Sequence, residues 1–321
     1  MEFSVYHNLP VLVTGGAGFI GSHLVRGLLD AGAKVRVLDN LVTGSKANLD
    51  ELGGKIEFMR GDITDLAQCL SAVRDQRVVF HLAALGSVPG SVADPIKYNQ
   101  ANINGTLNVL EAARQIGVKR VVYSASSSAY GANLALPKRE NMLPEPISPY
   151  AVGKLAGEHY TRAYSAVYNL STISLRYFNV FGPRQNPHSQ YAAVIPAFIS
   201  ALVKKERPKI FGDGKQTRDF CFIANVVRAN LLAGVHAKAL SGQMVNVACG
   251  QSISLNDMLA EMQKQLGTNI APEYLPPRPG DVRDSLADIS AAQELLDYQP
   301  VVYFDQGLEQ TVNWYAQTSR L

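Results

Sequence analysis

The chain has 321 residues, 47% of them hydrophobic, and carries 30 Lys and Arg against 27 Asp and Glu, a formal net charge of +3 at pH 7. That length can bury a full core in one large domain or in two lobes, and the composition excludes a disordered chain. The longest apolar run, Tyr191 to Val203, contains Pro196 and falls short of the ~20 residues of a membrane span, and no basic block suits nucleic acid or a membrane surface.

Met1 to Pro10 carries the acidic Glu2 and lacks the basic-then-apolar pattern of a secretory signal, so an unprocessed cytoplasmic N-terminus is expected. Short β-branched runs follow at Val11 to Thr14, Lys34 to Asp39, Ile56 to Arg60, Val78 to Leu82 and Val121 to Ser124, separated by helical periodicity. Thr172 to Tyr177 reads as a sixth strand and Gln243 to Ala248 as a later one returning to the same sheet. This alternation predicts an α/β fold, a Rossmann-type doubly wound parallel sheet. Prolines at 183, 187, 196 and 208, then at 272, 276, 277 and 279, mark long loops and a smaller, mixed α/β lobe. The expected division is a dinucleotide-binding domain at 1–180 plus about 243–249, and a substrate lobe from the remainder of 181–321. Cys69, Cys221 and Cys249 are far apart and form no C-x-x-C, so buried, reduced cysteines are expected, with no metal site.

The first strand runs into Gly15-Gly16-Ala17-Gly18-Phe19-Ile20-Gly21 and then an amphipathic helix. Glycines at such a turn let a pyrophosphate approach the free N–H groups of the helix, here those of Phe19 and Ile20. Asp39 ends the next strand 18 residues after Gly21, where its carboxylate, with Asn40 beside it, suits ribose hydroxyls and repels a 2′-phosphate. NAD is therefore favoured over NADP. Asp62, followed by Ile63, either holds the adenine end or caps a helix. Leu82-Ala83-Ala84 either lets the dinucleotide pass or packs closely for its own sake.

Tyr150 and Lys154 sit in Ser148-Pro149-Tyr150-Ala151-Val152-Gly153-Lys154, a phenol and an ammonium one helical turn apart. Ser148 can cap that helix and Pro149 can open it. A tyrosine of pKa near ~10 must fall by about 3 units to act as a base at neutral pH, ~4 kcal/mol. One cation about 6 Å away contributes roughly 3 kcal/mol at an effective dielectric near 20. Lys154 is thus expected to supply most of the change, and an oxidised nicotinamide the rest.

With these residues in place the sequence resembles the extended short-chain dehydrogenase/reductases, and within them the nucleotide-sugar 4-epimerases, over nearly the whole chain. In Ser124-Ala125-Ser126-Ser127-Ser128-Ala129-Tyr130-Gly131 the resemblance places Ser126 at the sugar's O4, with Ser127 and Ser128 lining the same pocket. Relatives that dehydrate or decarboxylate their sugars tend to carry an acid in this segment, and its absence favours epimerisation. Arg176 to Pro183 is similar to the stretch whose backbone meets the nicotinamide near Tyr177 and whose asparagine, Asn179, contacts the sugar diphosphate. Arg218 and Arg278 match the family's diphosphate clamp, and Asp281 its uridine ribose contact. Ala193 and Val194 either cover the nucleotide or simply begin an apolar helix. Ser87, Val88 and Ser285 would border the sugar, and a small residue at 285 leaves room for an acetamido group.

The resemblance implies an NAD-dependent UDP-hexose or UDP-N-acetylhexosamine 4-epimerase in which Ser126, Tyr150 and Lys154 are catalytic. It would pass through a 4-keto sugar with NAD retained, as a homodimer built through the helices near Asn102 to Arg114 and Tyr150 to Tyr164. The competing readings are a UDP-glucuronate 4-epimerase or other nucleotide-sugar enzyme of the same fold, and a non-catalytic NAD sensor.

Overall fold

Alternate residues of the central strands enter two different cores, so both faces of the sheet are apolar and the strands read as nearly continuous hydrophobic runs. Val11, Val13, Val35, Val37, Phe80 and Val122 face one core, whereas Leu12, Leu38, Val79 and Val121 face the other. The computed structural model describes residues 3–186, 194–277 and 283–318. Its main sheet contains β1 (Pro10–Thr14), β2 (Lys34–Asp39), β3 (Ile56–Arg60), β4 (Val78–His81), β5 (Arg120–Ser126), β6 (Ser171–Tyr177) and, later in the chain, β11 (Ser241–Val247). The order is β11-β6-β5-β4-β1-β2-β3, parallel throughout. Each strand expected from the sequence is present, within two residues at either end.

The first core is closed by α1 (Phe19–Asp30), α8 (Ile223–Gly234) and α11 (Phe304–Thr318), among others. The second is closed by α2 (Leu66–Val73) and α5 (Gly105–Ile116), with Tyr164 from α6 (Pro149–Tyr168). Two short helices, α3 (Val88–Ala93) and α4 (Pro95–Asn99), lie between β4 and α5, and a π-helical turn at Gln100–Asn104 leads into α5. None of these three was legible in the sequence.

Outside the sheet, β7 (Val180–Phe181) pairs with β10 (Cys221–Phe222), β8 (Lys209–Phe211) with β13 (Glu273–Leu275), and β9 (Thr217–Arg218) with β12 (Ile253–Ser254). Helices α7 (Val194–Val203), α9 (Leu255–Leu266) and α10 (Ser290–Leu296) complete this part. Phe198, Met258 and Tyr315 share one apolar core with Val11 and Val37, so the C-terminal elements pack directly on the sheet. Val194 opens α7, the apolar helix start that was one of the two expectations for it; Ala193, Arg278 and Asp281 lie outside the described residues. Among the described residues no helix is long and apolar enough to cross a membrane.

Strand order reverses between β1 and β4, which opens a crevice at the carboxyl ends of the strands, the place where open α/β sheets bind ligands. Gly15, Asp39, Leu82, Ser126 and Tyr177 all stand at those ends. The topology alone therefore gathers most of the residues singled out from the sequence.

Candidate active site

The turn after β1 is closed against its neighbours. A Cβ on Gly15, whose φ is +71°, would lie 2.7 Å from the Ala83 amide nitrogen, and one on Gly21 would lie 2.1 Å from the Gly15 carbonyl oxygen. Only glycine allows the backbone to pass so close to Leu82-Ala83-Ala84 and still begin α1. Gly18 is the N-cap of α1 and no side chain caps that end. The first-turn N–H groups, to which Phe19 and Ile20 belong, have no intrahelical acceptor. Asp39 accepts from Ala17 N–H at 2.9 Å and Leu41 N–H at 2.8 Å through different carboxylate oxygens. Burial raises its pKa. Each oxygen keeps a lone pair for a hydroxyl donor. Asn40 Nδ2 donates to Asp62 at 2.8 Å, and Asp62 also accepts from the backbone and hydroxyl of Thr64. The cap of α2 is Asp65, not Asp62, so Asp62 is free of that duty. Ile63 is buried, and its side chain would collide with any Cβ at Gly105. A bare helix start, a glycine turn tight on Ala83 and a carboxylate ending β2 fit a dinucleotide.

Helix α6 starts as its sequence dictates. Ser148 Oγ accepts from Ala151 N–H at 3.2 Å and Pro149 takes the first helical position. Tyr150 and Lys154 then share one face. The Tyr150 N–H donates to Ser91 Oγ at 3.0 Å, which ties the helix start to α3. Lys154 Nζ donates to the Ser124 carbonyl at 2.8 Å and lies 5.2 Å from the centroid of the Tyr123 ring. Lys154 is only 5% exposed, and burial pulls its pKa down to about 8 while Glu158 pulls the other way. Glu158 is buried, and its two oxygens accept from Arg176 at 2.7 and 2.6 Å.

Burial pushes the Tyr150 phenol above its ordinary pKa, opposed by a hydrogen bond from Ser126. Lys154 is not among the groups that move the phenol in the ligand-free protein. The Lys154 ammonium rests on the Ser124 carbonyl and is itself weakened by burial. Ser126 ends β5 and caps the turn Ser127–Tyr130, with Ser128 N–H at 3.2 Å and Ser128 Oγ at 2.9 Å from its hydroxyl oxygen.

Leu85 is clamped by Asn102, which accepts from its N–H at 2.8 Å and donates to its carbonyl at 3.0 Å. The segment carrying Ser87 and Val88 starts from this fixed point. Ser87 caps α3 through Gly90 N–H, and Val88 is half-exposed beside it. Tyr177 ends β6 opposite Ser126, its hydroxyl bonded to Asn230. Asn179 Nδ2 donates to the Asp219 carbonyl at 3.1 Å and to Ser285 Oγ at 3.3 Å. The Asp219 carboxylate gathers the N–H groups of Cys249, Gly250 and Ala287, and burial raises its pKa to about 6. Arg218 Nη1 donates to the carbonyls of Thr217 at 2.8 Å and Arg283 at 2.7 Å. Asn179, Arg218 and Ser285 thus come together around Asp219. Ser91, Asn102, Ser124, Glu158 and Asp219 had been given no site role from the sequence, because each bonds to a segment distant in the chain.

A family model described as "NAD dependent epimerase/dehydratase family" matches residues 11–248. A UDP-glucose 4-epimerase of Mycolicibacterium smegmatis is 42% identical over 317 residues, covering 97% of this chain and 100% of its own. The structure of a UDP-N-acetylglucosamine 4-epimerase from Methanobrevibacter ruminantium, in complex with UDP-N-acetylmuramic acid, superposes with a TM-score of 0.93 at 41% identity, covering 98% of this chain and 100% of the other. A UDP-glucuronic acid 4-epimerase from Bacillus cereus, in complex with UDP-glucuronic acid and NAD, gives 0.88 at 35% identity, covering 96% and 99%.

Proposed function

The chain belongs to the NAD-dependent epimerase/dehydratase family, as an extended short-chain dehydrogenase/reductase with NAD as its cofactor, and from that premise we propose that it inverts C4 of a UDP-sugar. The substrates proposed are UDP-N-acetylglucosamine and UDP-N-acetylgalactosamine, UDP-glucose and UDP-galactose, or both pairs. The observation that carries this reading is the convergence of Ser126, Tyr150 and Lys154 at the end of β5, beside a turn shaped for a dinucleotide.

When bound, NAD supplies reversible hydride acceptance at C4 and a positive charge beside the phenol. Tyr150 takes the proton of the 4-hydroxyl and later returns it. Ser126 donates to the Tyr150 oxygen and so stabilises the phenolate. Lys154, fixed by Ser124, keeps a positive charge one turn below and would bond the nicotinamide ribose. Arg218 holds the diphosphate, with Arg278 as its partner and Asp281 on the uridine ribose. The small Ser285, bonded to Asn179, leaves the hexose pocket wide enough for the 4-keto sugar to turn over and for an acetamido group.

The division into a dinucleotide lobe, 1–180 with 243–249, and a nucleotide-sugar lobe in the rest of 181–321 is part of this proposal. So is pairing of two copies through α5 and α6, where Ile116, Val152, Val167 and Tyr168 expose apolar surface. Incubating the NAD-loaded protein separately with the N-acetylglucosamine, glucose, galactose and glucuronate forms of UDP-sugar, with proton NMR of the anomeric signals, tests the function. A C4 epimer should appear without added oxidant. No epimer from any of the four would defeat the proposal, and conversion of the glucuronate alone would replace its substrate.

A further inference from the structure

His81 ends β4 beside Thr14, its register partner on β1, at the point where the strand order reverses, and the residue is 1% exposed. Its two ring nitrogens meet two hydroxyls, Nδ1 with Thr14 Oγ1 at 2.7 Å and Nε2 with Thr106 Oγ1 of α5 at 3.0 Å. The neighbours of those hydroxyls decide where each proton goes, because a backbone carbonyl can only accept and a backbone N–H can only donate. The Thr106 hydroxyl gives its one proton to the Asn102 carbonyl at 2.7 Å, so it must receive from Nε2–H. The Thr14 hydroxyl receives the Ala83 N–H at 3.2 Å, and its own proton then has Nδ1 as acceptor. The ring is therefore neutral, with its proton on Nε2. A second ring proton is opposed by burial first and by the Lys154 ammonium next, which together pull the pKa down to about 3. The other titratable group against the ring is Tyr123 of β5, its centroid 5.7 Å away.

The line of donors runs without a break from the Ala83 N–H through Thr14, His81 and Thr106 to the Asn102 carbonyl. The Asn102 side chain in turn grips both the N–H and the carbonyl of Leu85, at 2.8 and 3.0 Å. Leu82 to Leu85, the strip that passes against the glycine turn, is thus tied at two points to opposite sides of one imidazole. A Cβ on Gly15 would lie 2.7 Å from the Ala83 nitrogen, so strip and turn are in close contact. Resting on the reading of this crevice as the NAD site, and on no particular sugar, we infer that His81 is a positioning residue: held as the Nε2–H tautomer between Thr14 and Thr106, it fixes the strip Leu82 to Leu85 against which NAD lies. A strip fixed beforehand spares the cofactor the cost of ordering it on binding. Without the Thr106 hydroxyl, the buried Nε2–H loses its acceptor, which favours the other tautomer and sets Nδ1–H against the Thr14 proton. The bond from Thr14 to Ala83 is then no longer held in one direction.

Two measurements on the NAD-loaded protein test this. Nitrogen-15 NMR of the histidine rings at neutral pH, with His81 identified by through-space proton contacts to the Thr14 and Thr106 methyl groups, should show a proton on Nε2 and a bare Nδ1. A proton on Nδ1, alone or together with Nε2, overturns the inference. The second measurement follows NAD dissociation by exchange with radiolabelled NAD. Thr106→Val keeps the shape of the side chain and removes the acceptor, and it should speed dissociation roughly 3- to 10-fold, the worth of about one hydrogen bond. Thr106→Ser should restore the wild-type rate. Thr311→Val removes an equally buried hydroxyl from α11, bonded only within its own helix to the Gly307 carbonyl, and should leave the rate unchanged. An unchanged rate in Thr106→Val, or an equal acceleration in Thr311→Val, refutes the positioning role. Thr106→Ala takes the place of the valine variant if that one does not fold, with the same acceleration expected. Neither measurement uses a sugar, so failure of the wild-type protein to epimerise any UDP-sugar would count against the proposed function alone.

Discussion

Replacing Lys154 by methionine should make the folded protein more stable while removing most of its turnover. The ammonium is 5% exposed and its pKa falls from the ordinary 10.5 to about 8. At 1.36 kcal/mol per pH unit, holding that proton in the folded state costs about 3 kcal/mol at neutral pH. Methionine fills similar space with an apolar, adaptable chain. The substitution forfeits the bond to the Ser124 carbonyl, about 1 kcal/mol, and leaves Glu158 still held by Nε and Nη2 of Arg176. The net gain expected is ~1–2 kcal/mol. Its pH dependence has a definite sign. The unfolded lysine binds its proton more tightly than the folded one, so between pH 8 and 10.5 the unfolded state carries more protons, and wild-type stability from this group rises with pH. Below pH 8 the cost is constant. Urea unfolding of the NAD-free proteins at neutral pH and at about pH 9.5 should therefore show the variant ahead at the lower pH and the gap narrowing at the higher. A variant less stable than wild type at neutral pH, or a gap that does not change with pH, refutes the reasoning.

Tyr150→Phe should lower kcat by ~10²- to 10⁴-fold while the protein still purifies with NAD, checked by turnover and by cofactor absorbance; near-normal turnover would eliminate Tyr150 as the base. Gly21→Ala places a methyl carbon 2.1 Å from the Gly15 carbonyl oxygen and should cost about 1–3 kcal/mol and most NAD retention, read by thermal unfolding and by cofactor content after gel filtration. Unchanged retention would mean that the turn does not hold the cofactor. Ser285→Tyr crowds Asn179 and should depress turnover of UDP-N-acetylglucosamine more than that of UDP-glucose, whereas equal losses remove Ser285 as the gate.

The parallel sheet was legible because both of its faces are buried. Val11 to Val13 and Val78 to Phe80 had to be continuous apolar runs, each closed by one buried polar residue, Thr14 or His81. The Tyr150 and Lys154 pair was legible because helical spacing fixes which side chains share a face. Spacing does not say what lies opposite that face. The Lys154 ammonium meets the Ser124 carbonyl because β5 passes beneath α6, and that contact, 30 residues away in sequence, turned an expected electrostatic partner of the phenol into a buried group weakened by its own desolvation. Asp219 shows the same limit on the sugar side. It stood in plain view between Arg218 and Phe220, yet its carboxylate serves the N–H groups of Cys249, Gly250 and Ala287, from segments that only the fold brings together. Ser126 is the intermediate case. The resemblance gave its place in the sequence, and the fold adds two bonds from Ser128 to its oxygen. The local spacing of residues thus sets which groups are present at the site, and long-range backbone contacts set their protonation and direction.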